Sequence, residues 1–395
     1  MEALAADWTP RRQSMESAVA DPPRGLAGVA VTITRISEID GARGELRYRG
    51  YAIESLAMRP FLEVVGLVID GELPDDRSIK QVEGFLSTER AMTPAQAALL
   101  SVLPRDTHPM TMLEVALPLG DSAEQKRAPV NRSRADQRQV LLALAAKVPT
   151  LVAAWLRIRV GLSAIDPDPA LPIHADFLRM LTGKRPMAEE VALLDATQIL
   201  QMEHGLNAST FAARVVASTL APMSMALSAA VAALFGPLHG GADEAAYKMA
   251  LAIGDPAGVP AWVDATLARK EKIMGLGHRE YRVVDPRAVV LRELAHRVAA
   301  AKGLLPVLRT LSRVDDYAAE HFAKEGKAIR ANVEFYKGAV FASLGLPPDA
   351  FTALFVMARI YGWGAHILEL WDDHALYRPS AIYRGEPLRE IAQAT

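Results

Sequence analysis

The residues with the means to do chemistry in this chain are histidines set between glycines, a few arginines, and one carboxylate among aromatics. The first histidine is His239, in Gly236-Pro237-Leu238-His239-Gly240-Gly241. An uncharged helical run ends at Phe235, where Gly236 and Pro237 break it. A new helix opens near Asp243, with Ala245, Ala246, Met249 and Ala250 at helical spacing. His239 is therefore expected on a tight turn at a helix N-terminus, where the helix dipole disfavours imidazolium. A neutral imidazole can donate a hydrogen bond to a carbonyl oxygen that is gaining charge. A histidine in a structural turn would look the same from this stretch alone.

The second such loop runs from Lys272 through Ile273, Met274, Gly275, Leu276 and Gly277 to His278, then on to Arg282 and Asp285-Pro286-Arg287. Its glycines free backbone groups to wrap a ligand, and Arg282 and Arg287 supply charge for an anion. A solvated basic loop is the plainer reading. Glu334 lies beside Phe335 and Tyr336, a setting that suits a general base or acid. Arg359 falls in the apolar run Arg359-Ile360-Tyr361-Gly362-Trp363-Gly364-Ala365-His366, where a guanidinium needs an acid or a substrate carboxylate. His204, Asn207, Ser209 and Thr210 cluster just before another helix, as an ordinary capping region would. His108, His174, His296, His321, His366 and His374 share no metal-ligand spacing and read as structural or surface residues; no metal site is expected.

The elements that must position these residues are nearly all helical. Val29 to Ile36 alternates, Asp40-Gly41 follows, then Glu45 to Gly50, which together predict a small N-terminal β-hairpin. Phe61, Val64, Val65, Val68 and Ile69 mark an amphipathic helix stopped by Gly71 and Pro74; Leu141 to Arg159 marks another, which Pro149 should interrupt. Strands do not alternate with helices, which argues against a doubly wound sheet and a dinucleotide site. Neither a phosphate-binding G-x-x-x-x-G-K-[ST] nor an H-E-x-x-H motif occurs.

Length and composition bound the rest. The chain has 395 residues, 51% of them hydrophobic, enough for a large core over about two domains. A net charge of -2 speaks against nucleic acid as a partner. The uncharged run Met223 to Phe235 is shorter than the ~20 residues of a membrane span, so it is expected in a core or against a partner subunit, and no membrane partner is expected. Residues 1–24 carry Glu2, Asp7, Glu16 and Asp21 without an apolar stretch, and read as a loose tail, neither a secretory nor a transit signal. The absence of Cys fits a reducing compartment, and a cytoplasmic location is expected.

Taken together, these stretches resemble the citrate synthase family. The resemblance runs from Gly25 to about Gly385 on five motifs in the family's order: the IDG…YRGY stretch from Ile39 to Tyr51, EHGLNAST, GPLHGGA, GLGHREYRVVDPR, and ARIYGWGAH followed by Arg378-Pro379. It implies an all-α, two-domain homodimer: a large domain over 25–240 and 340–395, and a small domain over 241–339 that closes over the substrates. The reaction implied joins the methyl carbon of acetyl-CoA to the ketone of oxaloacetate and then hydrolyses the thioester. Acyl-CoA is a co-substrate, and no cofactor is bound permanently. By the resemblance, His239 hydrogen-bonds the thioester oxygen, His278 polarises the oxaloacetate ketone, and His204 binds oxaloacetate. Arg287 and Arg359 hold its carboxylates, with Arg378 added by the neighbouring subunit. Arg282 and the Ile273, Met274, Gly275, Leu276 and Gly277 backbone form part of the CoA site.

Three positions depart from the family's pattern. Glu334 stands where the catalytic base is usually Asp, Lys337 where a small hydroxyl residue is usual, and Glu280 where an apolar one is usual. Two alternatives therefore stay open beside acetyl-CoA condensation: a 2-methylcitrate synthase using propionyl-CoA, and a synthase-like binding or regulatory protein with little turnover.

Overall fold

The computed structural model describes residues 21–389 apart from 27, 121–128 and 279, so most of the 1–24 tail and Arg279 lie outside the described residues. Two compact units separate, 1–34 and 35–395. In the first, a 3-10 turn at Arg24–Leu26 is closed by the Leu26 N–H on the Pro23 carbonyl at 3.1 Å.

The second unit opens with a three-stranded antiparallel sheet, β1 Ser37–Asp40, β2 Glu45–Tyr48 and β3 Tyr51–Ala52, in the order β1-β2-β3. Ser37 pairs with Tyr48 and Asp40 with Glu45. The expected hairpin exists, yet its first strand starts at Ser37, later than the alternation over Val29–Ile36 suggested. Val29 and Ile33 are exposed, so that alternation has no buried face to hold it in a sheet.

Sixteen α-helices follow among the described residues. The first eight are α1 Ile53–Leu56, α2 Phe61–Asp70, α3 Asp76–Glu89, α4 Pro94–Val102, α5 Pro109–Ala116, α6 Arg134–Ile158, α7 Ile173–Thr182 and α8 Ala188–Gln201. The others are α9 Ala208–Ser218, α10 Met223–Phe235, α11 Ala242–Ile253, α12 Val259–Ala268, α13 Pro286–Lys302, α14 Leu305–Lys324, α15 Val333–Ser343 and α16 Phe351–Asp372. The all-α expectation holds.

The helix boundaries follow from local chemistry. Phe61, Val64, Val65, Val68 and Ile69 are buried along α2, which ends at Gly71 as expected. Thr93 and Gln96 form a capping box on α4. Asn207 caps α9 by accepting from the Thr210 N–H. α6 runs on through Pro149, against the expected interruption. The local cost of an internal proline is about 3 kcal/mol, and α6 is packed by α3, α5, α7 and α16, with most of its residues buried. Each fully buried Leu or Trp there contributes roughly 1.5–3 kcal/mol, so the packing wins.

α16 is apolar nearly all round and buried from Phe351 to Leu368, the mark of a central core helix. α2, α6, α8, α9 and α10 surround it. α6 and α16 are both long and apolar enough to cross a membrane, and both are mostly buried within the protein. Later in the chain, α15 packs on α11, α13 and α14.

Candidate active site

His239 stands on the turn between α10 and α11. Its N–H and that of Gly240 both donate to the Gly236 carbonyl, at 2.9 and 3.1 Å. The turn needs glycine at 240, because a Cβ there would lie 2.2 Å from the Leu234 carbonyl oxygen. The first turn of α9 supplies the ring's partner: the Ser209 N–H donates to His239 Nε2 at 3.3 Å, and the Ser209 hydroxyl lies 2.8 Å from the same atom. Trp363 of α16 donates its ring N–H to that hydroxyl at 3.1 Å. A backbone N–H can only donate, so Nε2 accepts, and the neutral ring carries its proton on Nδ1. Burial, then the Arg359 charge, holds the imidazole pKa down at about 4. The expectation of a neutral histidine at a helix N-terminus is met, with burial as the largest cause.

His278 sits on a loop stitched to two neighbours. On one side Leu276 bridges Ala331, the Gly277 N–H donates to the Arg330 carbonyl at 2.8 Å, and Asn332 donates to Gly275 and Gly277 carbonyls. On the other, the Arg282 N–H donates to the Gly41 carbonyl at 2.7 Å. The β1–β2 turn approaches so closely that a Cβ on Gly41 would stand 2.1 Å from the Glu280 carbonyl oxygen. The N–H groups of Glu280 and Tyr281 point at His278 Nδ1, 3.0 and 3.4 Å away. Nδ1 therefore accepts, and the neutral ring has its proton on Nε2. Burial and Arg287 lower its pKa.

His204 meets this loop edge-on. Its ring centroid is 5.1 Å from that of His278, and its Nε2 is 3.1 Å from the Tyr281 hydroxyl. Burial, with Arg287, His278 and Arg359, pushes its pKa well down. The preceding Glu203 is fully buried. It accepts from the Ser37 hydroxyl at 2.9 Å and lies 3.0 Å from His366 Nε2. Burial would raise the Glu203 carboxyl, but His366 and Arg359 outweigh it and hold it ionised.

The two candidate carboxylate-binding arginines differ. Arg287, at the start of α13, is gripped by Asp285 through two bonds of 3.0 and 2.8 Å, both side chains being buried. Asp285 also accepts the Val333 N–H at 3.1 Å, so one acid orients Arg287 and the start of α15. Arg359 donates Nε–H to the Gln201 carbonyl at 2.8 Å and lies over the Phe355 ring. Among the described residues no carboxylate stands at salt-bridge distance from it, though it is 2% exposed. Glu334, half-buried in the first turn of α15, donates its N–H to Asn332 Oδ1 at 3.1 Å. Its charge acts on His278, Arg287 and Arg359.

The fold thus gathers His204, His239, His278, Arg287, Glu334 and Arg359 into one cluster. Ile273 is buried, Met274 exposed, and Gly275, Leu276 and Gly277 lie along the strand-like bridge to 330–332. Arg282 is exposed beside the loop. Arg378 lies apart, exposed beyond α16, its guanidinium donating to the Pro379 carbonyl. Sequence reasoning gave no role to Ser209, Tyr281 or Asp285, which hold His239, His204 and Arg287, or to Glu203, which meets Ser37 and His366. Ser209 and Tyr281 reach histidines tens of residues away, and Asp285 joins its near neighbour Arg287 to the distant Val333 N–H. His366, read as structural, is indeed buried, and it braces Glu203.

A neutral donor on one ring nitrogen, a second on the opposite nitrogen of another ring, a carboxylate and two buried guanidiniums suit carbonyl chemistry on an anionic substrate. Comparison with known proteins agrees. The family described as "Citrate synthase, C-terminal domain" matches residues 25–380. A citrate synthase of Synechocystis sp. is 39% identical over 92% of this chain and 90% of its own length. A 2-methylcitrate synthase of Mycobacterium tuberculosis is also 39% identical, over 94% and 92%. The crystal structure of a Pyrobaculum aerophilum citrate synthase superposes with a TM-score of 0.86 at 36% identity, covering 92% of this chain and 93% of that one. A Thermoplasma acidophilum citrate synthase solved with carboxymethyl coenzyme A and oxaloacetate gives 0.86 at 30% identity, covering 92% and 96%. The chain belongs to the citrate synthase family.

Proposed function

We propose that this chain condenses acetyl-CoA with oxaloacetate and hydrolyses the product thioester, releasing citrate and CoA. One observation carries the reading furthest: Arg359 is a buried guanidinium without a carboxylate partner among the described residues, set among Arg287, neutral histidines and Glu334. A dicarboxylate would complete that arrangement, and planar guanidinium grips carboxylate in two places.

The steps follow from the side chains. The Glu334 carboxylate takes a proton from the acyl methyl, and the C–H electrons move towards the thioester oxygen. His239 Nδ1–H donates to that oxygen as charge builds on it. The enol carbon then attacks the oxaloacetate ketone carbon, and the ketone oxygen takes a proton from His278 Nε2. Water finally cleaves the thioester, giving the free carboxylate and CoA. His204, Arg287 and Arg359 bind oxaloacetate. Arg282 and the Ile273, Met274, Gly275, Leu276 and Gly277 backbone contribute to the CoA site. No permanently bound cofactor or metal enters this scheme. We further propose a small domain over 241–339 that closes on the bound dianion and excludes water.

The working unit of this proposal is a homodimer in which Arg378 serves the neighbouring site. In support, Val215 of α9 and Met225 and Phe235 of α10 are exposed in the single chain, as is Val115 of α5, a helix that packs on α10. A cytoplasmic location is proposed on the Cys-free composition alone.

Propionyl-CoA is the second reading, because the two curated relatives quoted above, one of each kind, are equally similar to this chain. One extra methyl changes binding by only about 1–3 kcal/mol. The test is release of CoA from acetyl-CoA and from propionyl-CoA, each with and without oxaloacetate. Oxaloacetate-dependent release supports condensation, and the ratio of kcat/KM values assigns the acyl group. Release that ignores oxaloacetate, or none at all, removes the proposal.

A further inference from the structure

Asp243 and Lys337 form an ion pair that no step above uses. Their Oδ2 and Nζ are 3.2 Å apart, with side chains 1% and 0% exposed. Lys337 Nζ lies 3.7 Å from the centroid of the Phe355 ring, the ring that also carries Arg359 at 4.7 Å. Neither Nζ nor Oδ2 makes a hydrogen bond among the described residues, so the contact is one of charge alone. Taking both charges out of water is costly, and an apolar pair of the same volume is often at least as stable. Stability is therefore a poor reason for keeping this pair.

Its place in the fold gives a better one. Asp243 is in the first turn of α11, four residues after His239, and Lys337 is one turn along α15 from Glu334. The two helices touch where the pair sits: a Cβ on Gly338 would lie 2.7 Å from the Asp243 carbonyl oxygen. The pair thus ties the helix that follows the oxyanion donor to the helix that carries the base. Two opposite charges in a dry, low-dielectric setting resist separation strongly, whereas apolar contacts allow sliding.

We propose that the Asp243–Lys337 pair is a positioning device for proton abstraction, fixing the Glu334 carboxylate relative to His239 Nδ1–H across the acyl group. The inference rests on the condensation reading. The base must meet the methyl carbon while the donor meets an oxygen two bonds away, so their separation has little tolerance. A misplacement of about 1 Å can cost about a hundredfold in rate. Lys337 and Asp243 touch no reacting atom in this scheme. The Lys337 charge, with that of Arg359 from α16, also helps keep His239 neutral.

Lys337→Met alone leaves a buried unpaired carboxylate and is expected to weaken the fold. The deciding variant is Asp243→Asn combined with Lys337→Met, which removes both charges at similar volume. Full-length wild type and double variant are compared by oxaloacetate calorimetry, by kcat and KM for acetyl-CoA, and by the isotope effect of trideuteroacetyl-CoA. The expected result is oxaloacetate affinity and KM within about threefold, kcat lower by about ten- to a hundredfold, and a larger isotope effect as proton abstraction becomes the slow step. With oxaloacetate present, carboxymethyl-CoA, a stable mimic of the enol form, should bind at least tenfold more weakly to the double variant. A double variant that matches wild type in kcat and isotope effect overturns the proposal. So does one that fails to fold, or one that loses kcat with the isotope effect and analogue binding unchanged. If wild type itself neither releases CoA nor binds the analogue with oxaloacetate, the condensation reading fails first, and visibly so.

Discussion

At the scale of single residues, the informative contrast is between His239 and His278. Backbone N–H groups fix Nε2 of the first and Nδ1 of the second as acceptors, so the two rings offer their protons from opposite nitrogens. His239 has its pKa lowered by burial to about 4. As pH falls, the unfolded chain protonates this histidine first, near the ordinary value of about 6.5. Its contribution to stability is therefore full above about pH 6.5 and is lost between about 6.5 and 4, up to the order of 3 kcal/mol. His204 and His278 act in the same direction. Urea unfolding at pH 7.5 and 5 should show this loss, and His239→Gln should reduce it. The same variant should lower kcat by about a hundred- to a thousandfold, the usual cost of an oxyanion donor. Glu334→Gln keeps shape without a base, so kcat should fall by orders of magnitude while calorimetric oxaloacetate binding survives on the arginines. Glu334→Asp separates two histories of the site. If the surroundings are tuned to the longer side chain, the shorter one misses the methyl proton and activity falls; if they are not, activity rises.

At the scale of elements, the small sheet acts on the His278 loop. The β1–β2 turn holds the 280–282 backbone through Gly41, where there is no room for a side chain. Gly41→Ala should displace His278, lower kcat, raise KM for oxaloacetate by about tenfold, and cost roughly 1–3 kcal/mol from overpacking. Gly84→Ala, on α3 with nothing within 4 Å of a new Cβ, should leave kinetics unchanged and hold or slightly raise the melting temperature. The elements themselves were mostly legible in the sequence. The α2 helix, the break at Gly236-Pro237 and the new helix after Gly241 are set by neighbours in the chain, and local pattern reports them. The strand at Val29–Ile36 and the interruption at Pro149 misled because tertiary packing decides both: the first lacks a buried face, the second has packing on most sides. Five of the six clustered residues could be nominated locally, His239 and His278 from glycine-hinged loops, Arg287 and Arg359 as cations in unusual settings and Glu334 from its aromatic neighbours, while the role of His204 came only from the resemblance. Their supports could not. Asp285 on the Val333 N–H, Ser209 on His239 and Asp243 on Lys337 join positions tens of residues apart, and no spacing rule connects them.

At the scale of the whole molecule, the question is whether one subunit contains a complete site. Arg287 and Arg359 lie in the cluster, whereas Arg378 is exposed, with its guanidinium on its own neighbour's carbonyl. Val215 of α9 and Met225 and Phe235 of the uncharged α10 are left in water in a lone chain, which suits burial against a second copy. If two copies pair across a two-fold axis and each lends Arg378 to the other, the sites are shared and complementation is possible. Arg378→Ala and His278→Ala homodimers should each be nearly inactive. In a mixed dimer, one site combines both lesions and stays dead. The other has His278 from one subunit and Arg378 from its partner, and is whole. Random pairing at equal amounts makes about half the dimers mixed, so about a quarter of wild-type activity should return. Sedimentation should show a dimer throughout, and activity should appear only after the subunits have exchanged. An Arg378 that serves its own subunit would give no recovery on mixing, and a fully active monomer would remove the shared site altogether.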